Sequence, residues 1–182
     1  MLSDQQPNAP VVAANPVTPS DVLAILRERG WLKAEPTPEI EAWCGHASAI
    51  LGPQVADRSA LGELLALVFH YDAREIIARV ESHEVLARYG ARDVLRQVAL
   101  FLLEGGPLNS DRFKELVTKL KQEMELRGRE LFHPIRLALA GRAGEGELDR
   151  VILLLDEAAA LPFAVPVKSA RARILEFCAA LT

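Results

Sequence analysis

Arg127-Gly128-Arg129-Glu130-Leu131-Phe132-His133-Pro134-Ile135-Arg136-Leu137-Ala138-Leu139-Ala140-Gly141-Arg142 is the stretch on which the fold turns. Gly128 can close a preceding helix and Gly141 a following one, because both can take the left-handed conformation that ends helices. Between them His133-Pro134 offers a helix start, since the proline ring pre-sets φ for a first turn. Ile135, Leu137 and Leu139 then give a short apolar helix ending at Gly141. Arg127, Arg129, Arg136 and Arg142 run through the same stretch, so core and cation are combined in one segment.

Upstream the same helix punctuation recurs. Thr18-Pro19-Ser20-Asp21 predicts a capped start, with threonine as cap and an aspartate three residues on to answer the cap's own N–H. That helix runs through Val22, Leu23, Ile25 and Leu26 to Gly30, and Thr37-Pro38 opens a second one that stops at Gly52-Pro53. Leu61, Leu64, Leu65, Leu67 and Val68 recur at three- and four-residue spacing between Ser59 and His70, the period of an amphipathic helix. Asp72 then caps a short helix with Ile76, Ile77 and Val80. Ser82 opens the next helix, which runs through Val94, Leu95, Val98 and Leu100 to Leu103; its dense apolar end predicts the buried central element, broken at Gly105-Gly106-Pro107. Asn109 and Ser110 cap the following helix, with inner residues Phe113, Leu116, Val117, Leu120 and Met124, closed by Gly128.

Downstream, Gly144-Glu145-Gly146 reads as a turn, Leu148 to Leu155 as helix, and a last helix begins after Pro166. No run alternates β-branched or aromatic with polar residues between turn signals, so no strand is expected. The fold class is therefore all-α. Half of the residues are hydrophobic and only 5% aromatic, a Leu- and Ala-rich bias that suits helices because unbranched side chains lose little rotamer freedom there. The expected organisation is a disordered tail over residues 1–17, a helical subdomain over 18–105 and a second over 106–182.

Little in the sequence suggests catalysis. His46, His70, His83 and His133 are scattered without the spacing that aims two metal ligands from one helix face, and no cofactor or metal is expected. Cys44 and Cys178 stand far apart, with no disulfide framework, and Cys44 reads as a buried structural thiol; a reducing cytoplasm fits best. Gly141, Gly144 and Gly146 follow a helix rather than a strand and lack the lysine and hydroxyl of a phosphate-binding loop. Asp156-Glu157 reads as a solvated surface pair. Residues before Thr18 have neither the basic start nor the apolar run of a signal peptide or membrane span.

Charge is the remaining signal. The formal net charge is −4, so a polyanion would be bound only through a local basic face. Between Arg112 and Arg142 there are eight cations (Arg112, Lys114, Lys119, Lys121, Arg127, Arg129, Arg136, Arg142) against four glutamates, about +4, which leaves about −8 for the remainder. That asymmetry is what a nucleic-acid face needs. An ordinary pair of solvated helices, with Lys and Glu in surface pairs, is the competing reading.

The segment 127–142 resembles the C-terminal pattern of glutamyl-tRNA synthetases, in which a short turn leads to Pro-(Ile/Leu)-Arg-(Val/Leu)-Ala-Leu-Thr-Gly. Flanking stretches agree in order: Arg29-Gly30-Trp31 is similar to that family's Ala-Gly-Leu helix end, Leu61-Gly62-Glu63-Leu64 to its Thr-Leu-x-Glu-Leu, and Arg171-Ala172-Arg173-Ile174, after Glu147-Leu148, to its closing Arg-Ile helix. The likeness spans about residues 20 to 178 and falls on the part of the enzyme that follows the catalytic domain. Three departures stand out. The family's Lys-x-Arg-x-Lys-Thr-Leu is here Ala56-Asp57-Arg58-Ser59-Ala60-Leu61, the threonine of Leu-Thr-Gly is Ala140, and the loop Leu161 to Pro166 looks longer.

The resemblance implies a fold of two small helical subdomains and an anticodon-binding role. It places candidate tRNA contacts at Arg58, Lys119, Arg127, Arg129, Arg136 and Arg142, arginines reading splayed bases and lysines neutralising phosphates. For Arg136 the alternative is an ion pair that fixes the turn. Neither His-x-Gly-His nor Lys-Met-Ser-Lys-Ser occurs, so the expectation is a free-standing, non-catalytic relative. It would bind tRNA or assist a synthetase or another tRNA-related protein. The rivals are a protein-interaction module that has lost RNA binding and an accessory subunit of a split synthetase.

Overall fold

The computed structural model describes residues 17–182, so the tail expected over residues 1–17 lies, except for Val17, outside the described residues. Val17 itself is buried in the core. The described residues form eleven α-helices and a single 3-10 turn, with no strand among them. In chain order they are α1 Pro19–Glu28, α2 Pro38–Leu51, α3 Arg58–Phe69, α4 Ala73–Ile77, α5 Val80–Ala87, α6 Ala91–Leu103, α7 Ser110–Met124, α8 Arg129–Ala140, α9 Glu147–Ile152, α10 Leu155–Ala159 and α11 Ala170–Ala180; the 3-10 turn Gly52–Gln54 follows α2.

Most helix starts are where the capping residues put them. Thr18 and Asp21 form a reciprocal capping box on α1, and Thr37 accepts the Ile40 N–H on α2. Asp72 accepts the N–H groups of Arg74 and Glu75 on α4, and Asn109 accepts that of Arg112 on α7. Each cap satisfies donors that have no partner within the helix and is worth about 1 kcal/mol.

Several boundaries differ from the sequence expectation: α5 starts at Val80 rather than Ser82, and the helix read over Leu148 to Leu155 breaks after Ile152, with α10 starting at Leu155. The helix read as continuous from Ser82 to Leu103 is two helices, α5 and α6, broken at Tyr89-Gly90. Gly90 has φ +77°, and a side chain there would also meet Leu126 Cδ1 at 3.1 Å, so two constraints select glycine at this turn. α7 ends at Met124 rather than Gly128, with Glu125 at φ 54° closing it. α8 starts at Arg129, four residues before His133, and Pro134 lies inside it. Proline lacks an N–H, so the Glu130 carbonyl loses its usual helical donor, and this near the helix start is tolerated.

The central element is α8, not the end of α6. Every residue of α8 from Pro134 to Ala140 is buried, whereas α6 exposes Leu100 and Leu103. Only its first turn, at Arg129 and Glu130, is exposed to solvent, and α8 packs against α5, α6, α9 and α11. α6 carries one buried stripe: Ala91, Val94, Leu95, Val98 and Leu102. Buried side chains from both sides of the Gly105–Pro107 break belong to one contiguous core. At one end of it an aromatic cluster joins separate segments. Trp31 stacks on Phe69 with centroids 4.5 Å apart, and Phe163 meets Trp43 and Phe69 edge-on at 5.3 and 5.0 Å. The 161–166 loop is anchored there, since the Ala164 N–H donates to the Trp31 carbonyl at 2.7 Å.

Asp156 and Glu157, expected to be merely solvated, both have partners. Asp156 accepts the N–H groups of Leu108 at 2.6 Å and Ala170 at 2.8 Å, tying the segment before α7 to the start of α11. Glu157 lies 3.2 Å from His46 Nδ1. Cys44 is buried as expected, and burial, with Glu41 nearby, pushes its thiol up to about 11, so it stays protonated.

Candidate nucleic-acid interface

The eight cations between Arg112 and Arg142 have different fates. Arg112 is spent on backbone: its guanidinium donates to the carbonyls of Gly106, Glu104 and Phe101 and stacks 4.7 Å over the Phe101 ring, closing the turn after α6. Arg136 is spent on Asp149, to which Nε and Nη2 donate at 2.8 and 2.9 Å, while Nη1 donates to the Gly144 carbonyl. Of the two readings of Arg136, the ion pair is therefore the one that the fold uses, and Arg136 leaves the set of free candidate contacts. Lys114, Lys119, Lys121, Arg127, Arg129 and Arg142 are exposed, and none is in an ion pair among the described residues.

Helix geometry then sorts the sequence candidates. Arg127 and Arg129 flank Gly128 where α8 begins. Arg142 lies just beyond the other end of that helix, about 18 Å away at 1.5 Å per residue, beside a recess lined by Glu63, His70, Glu75 and Arg79. Arg58 starts α3 and pairs with Glu28 at 2.7 Å. Lys119 sits on the solvent face of α7 with Lys114, Glu115 and Thr118. The structure thus brings Arg127 and Arg129 together, places Lys119 one helix away, and separates Arg58 and Arg142 from both.

It also gives a neighbour to one cation of the segment, Lys121, and adds a cation from outside it, Arg88. Lys121 lies over the Phe132 ring at 5.7 Å, on the flank of α7 that faces α8, and the same half-buried ring carries Arg136 at 4.7 Å. Arg88, from the turn between α5 and α6, donates from Nη1 to His133 Nδ1 at 2.9 Å. Arginine is only a donor, so this imidazole is neutral at Nδ1. Nothing local in the sequence announces the Arg88–His133 contact, which spans 45 positions; the Phe132-His133 pair within an arginine-rich segment was the available signal.

Desolvation, then Arg88, Arg129 and Arg136, holds the His133 pKa below its ordinary value, with Glu145 opposing. The unfolded chain therefore takes up a proton at this site before the folded one does. The stability associated with neutral His133 is present above the ordinary histidine pKa and is lost as pH falls through the depressed one. An NMR titration should put the His133 midpoint below about 6.5, and Arg88→Gln should raise it; a midpoint unchanged by that substitution would remove the role given to Arg88.

Among the described residues, no group of three or more His, Cys, Asp or Glu side chains is placed to hold a metal ion, and no helix is long and apolar enough to cross a membrane. The family described as anticodon binding domain matches residues 22–161. Residues of this chain are 28% identical over 138 positions to the glutamate–tRNA ligase of Carboxydothermus hydrogenoformans, covering 76% of the chain and 28% of the relative. A second relative, glutamate–tRNA ligase 2 of Thermoanaerobacter pseudethanolicus, is 40% identical over 63 residues, 34% of the chain and 13% of the relative. The enzyme of Geobacillus thermodenitrificans is 28% identical over 130 residues, 71% of the chain and 26% of the relative. The chain thus spans at most 28% of the length of these curated relatives. No solved structure gives a significant match.

Proposed function

The chain belongs to the anticodon-binding domain family, and from that premise we propose that it binds the anticodon arm of a tRNA through the α7–α8 surface. Arg127 and Arg129 form the centre of the interface, with Lys114, Lys119 and Lys121 on the preceding helix supplying phosphate contacts. The observation that carries this reading is the state of the cations: the exposed ones between Lys114 and Arg142 make no ion pair among the described residues, so binding RNA would break none of these. An isolated cation on a surface already paired with glutamate would have to give up that partner first. Arg58, held by Glu28, and Arg142, a helix length away, fall outside the primary footprint. The 182 residues carry neither class I signature motif, and amino-acid activation is not assigned to them; the tRNA-binding role would serve a synthetase or another tRNA-related protein acting in trans.

With three or four phosphates contacted in a single-stranded loop, log affinity should fall with log salt at a slope of roughly −2 to −3. Arg127→Ala/Arg129→Ala should weaken tRNA binding about 10-fold and flatten the slope by about 1.4, the share of two phosphates. A gel-shift series in tRNA and salt checks both. A double variant that binds as wild type rejects the site, and a wild-type protein that gives no shift at low salt favours the second reading, a protein-interaction module. That reading is supported by the net charge of −4 and by the commitment of Arg58 to Glu28.

A further inference from the structure

The chain has ten aromatic residues, and nine are buried or half-buried. Seven of those nine rings lie in the stacked aromatic cluster or under arginine or lysine side chains, and the other two, Phe113 and Phe177, are in the buried core. Tyr89 is the exception, 92% exposed, with no hydrogen bond or ring contact of its own. Folding gains nothing from this ring, since no apolar area of it leaves water.

Its position is nevertheless well defined. The turn that presents Tyr89 is clamped on both sides to the start of the α8 region. On one side the Arg88 guanidinium donates to His133; on the other a Cβ at Gly90 would lie 3.1 Å from Leu126 Cδ1, so the two segments are in tight contact. Leu126 is buried and directly precedes Arg127. An exposed ring is therefore held on a fixed turn next to Arg88 and against the segment that carries Arg127 and Arg129, none of which is ion-paired.

We propose that Tyr89 is a stacking platform for an unpaired nucleobase, with the arginines of the adjoining segment holding the phosphates on either side. The inference rests on the RNA reading above and adds to it a specific contact and a substrate class: open, single-stranded loop nucleotides rather than paired helix. Every base has a π-face, so the platform tolerates sequence and selects for unstacked bases. A tyrosine side chain has only two χ angles to order, so covering it with a base costs little conformational entropy. The electrostatic surroundings agree: the imidazole of His133, which senses the field at this point, has three arginines acting on it against one glutamate. The nearby carboxylates Glu125 and Glu130 make no ion pair with these arginines.

The test compares the wild-type chain with Tyr89→Ala and Tyr89→Phe for binding a fluorescently labelled RNA stem with an open loop and a blunt duplex of the same stem, at low salt. Because the ring is exposed, both variants should keep the wild-type circular dichroism spectrum and melting temperature. Tyr89→Ala is expected to weaken the open-loop complex roughly 10-fold, Tyr89→Phe to leave it within about 2-fold, and neither to change duplex binding or the salt slope. Open-loop binding that survives Tyr89→Ala overturns the platform and leaves the RNA reading standing. Equal losses on loop and duplex, or equal losses in the Ala and Phe variants, overturn it too, since stacking on a ring predicts neither. A wild-type chain that binds neither RNA removes the platform together with the reading on which it rests.

Discussion

Arg173→Ala is expected to cost about 4 kcal/mol of folding stability, about 1 kcal/mol for each of four buried carbonyls left without a donor, and to lower the melting temperature by about 10 °C for a chain of this size. Arg173 is 0% exposed and forms no ion pair among the described residues, although Glu176 and Asp156 act on it at longer range. Its guanidinium instead donates to four carbonyls: Leu67 and Val68 at 2.9 and 2.6 Å, Leu139 at 3.0 Å and Lys168 at 3.0 Å. Leu67 and Val68 are in the last turn of α3 and Leu139 in the last turn of α8, positions whose carbonyls have no helical donor and carry the negative end of the helix dipole. One buried cation thus closes two helix ends at once, and the Tyr71 ring covers it at 4.6 Å while the Tyr71 hydroxyl donates to the Ala138 carbonyl. Burial pushes its pKa down to about 10, still high enough to keep the charge at neutral pH. Alanine would leave all four acceptors without their donor in a dry interior, each at about 1 kcal/mol or more. Arg173→Lys should recover only part of the loss, because a single ammonium cannot span acceptors on α3, α8 and the 168 carbonyl. Urea denaturation followed by circular dichroism measures this; a loss under about 1 kcal/mol for Arg173→Ala would contradict the double-cap account.

Arg136→Ala is expected to lose about 2 to 3 kcal/mol, less than Arg173 because the pair is partly solvated. Arg136 is 9% exposed, and its fork grips Asp149 in two parallel hydrogen bonds, with a third to Gly144. Asp149 raises the arginine's pKa further above its ordinary value. This pair fastens the 144–146 turn and α9 to α8. Asp149→Ala should cost a similar amount, and the double variant much less than the sum, since both single changes remove the same interaction. The same variant bears on function: if Arg136 serves the fold, tRNA affinity per folded molecule stays at the wild-type level. A stable Arg136→Ala protein with tRNA affinity as low as that of Arg127→Ala/Arg129→Ala would reverse this assignment.

The helix starts were legible because a cap is a local event. Thr18, Thr37, Asp72 and Asn109 each act within three residues, and the chain states those residues directly. The break at Tyr89-Gly90 was not legible, because a lone glycine inside a helical apolar pattern has no distinctive local meaning. What makes it a turn is the approach of Leu126, a residue 36 positions away in number. The choice of central helix failed for a related reason: periodicity reports an apolar stripe, and the apolar density at the end of α6 looked greater than that of α8. Burial of Pro134 to Ala140 on every side depends on the helices packed around them. The pairing of Asp156 with Leu108 and Ala170 was hidden in the same way, as an acidic pair on a helix reads as solvated until the chain ends that it joins are known.

For the candidate site, the sequence located the cationic segment and the family likeness that focuses on it, and charge counting is all that this required. Which cations are free was decided in three dimensions. Arg112 and Arg136 are consumed by carbonyls and a carboxylate that come to them only through folding, and Arg88 joins the site from the turn between α5 and α6. By itself the sequence determined an all-helical chain with identifiable caps and a basic segment over 112–142, because propensity, capping and net charge are properties of neighbouring residues. Only the tertiary structure decided which arginines hold the protein together and which face solvent, because a guanidinium is neutralised by whatever packing brings within about 3 Å of it, and that set of partners is not written in the order of the chain.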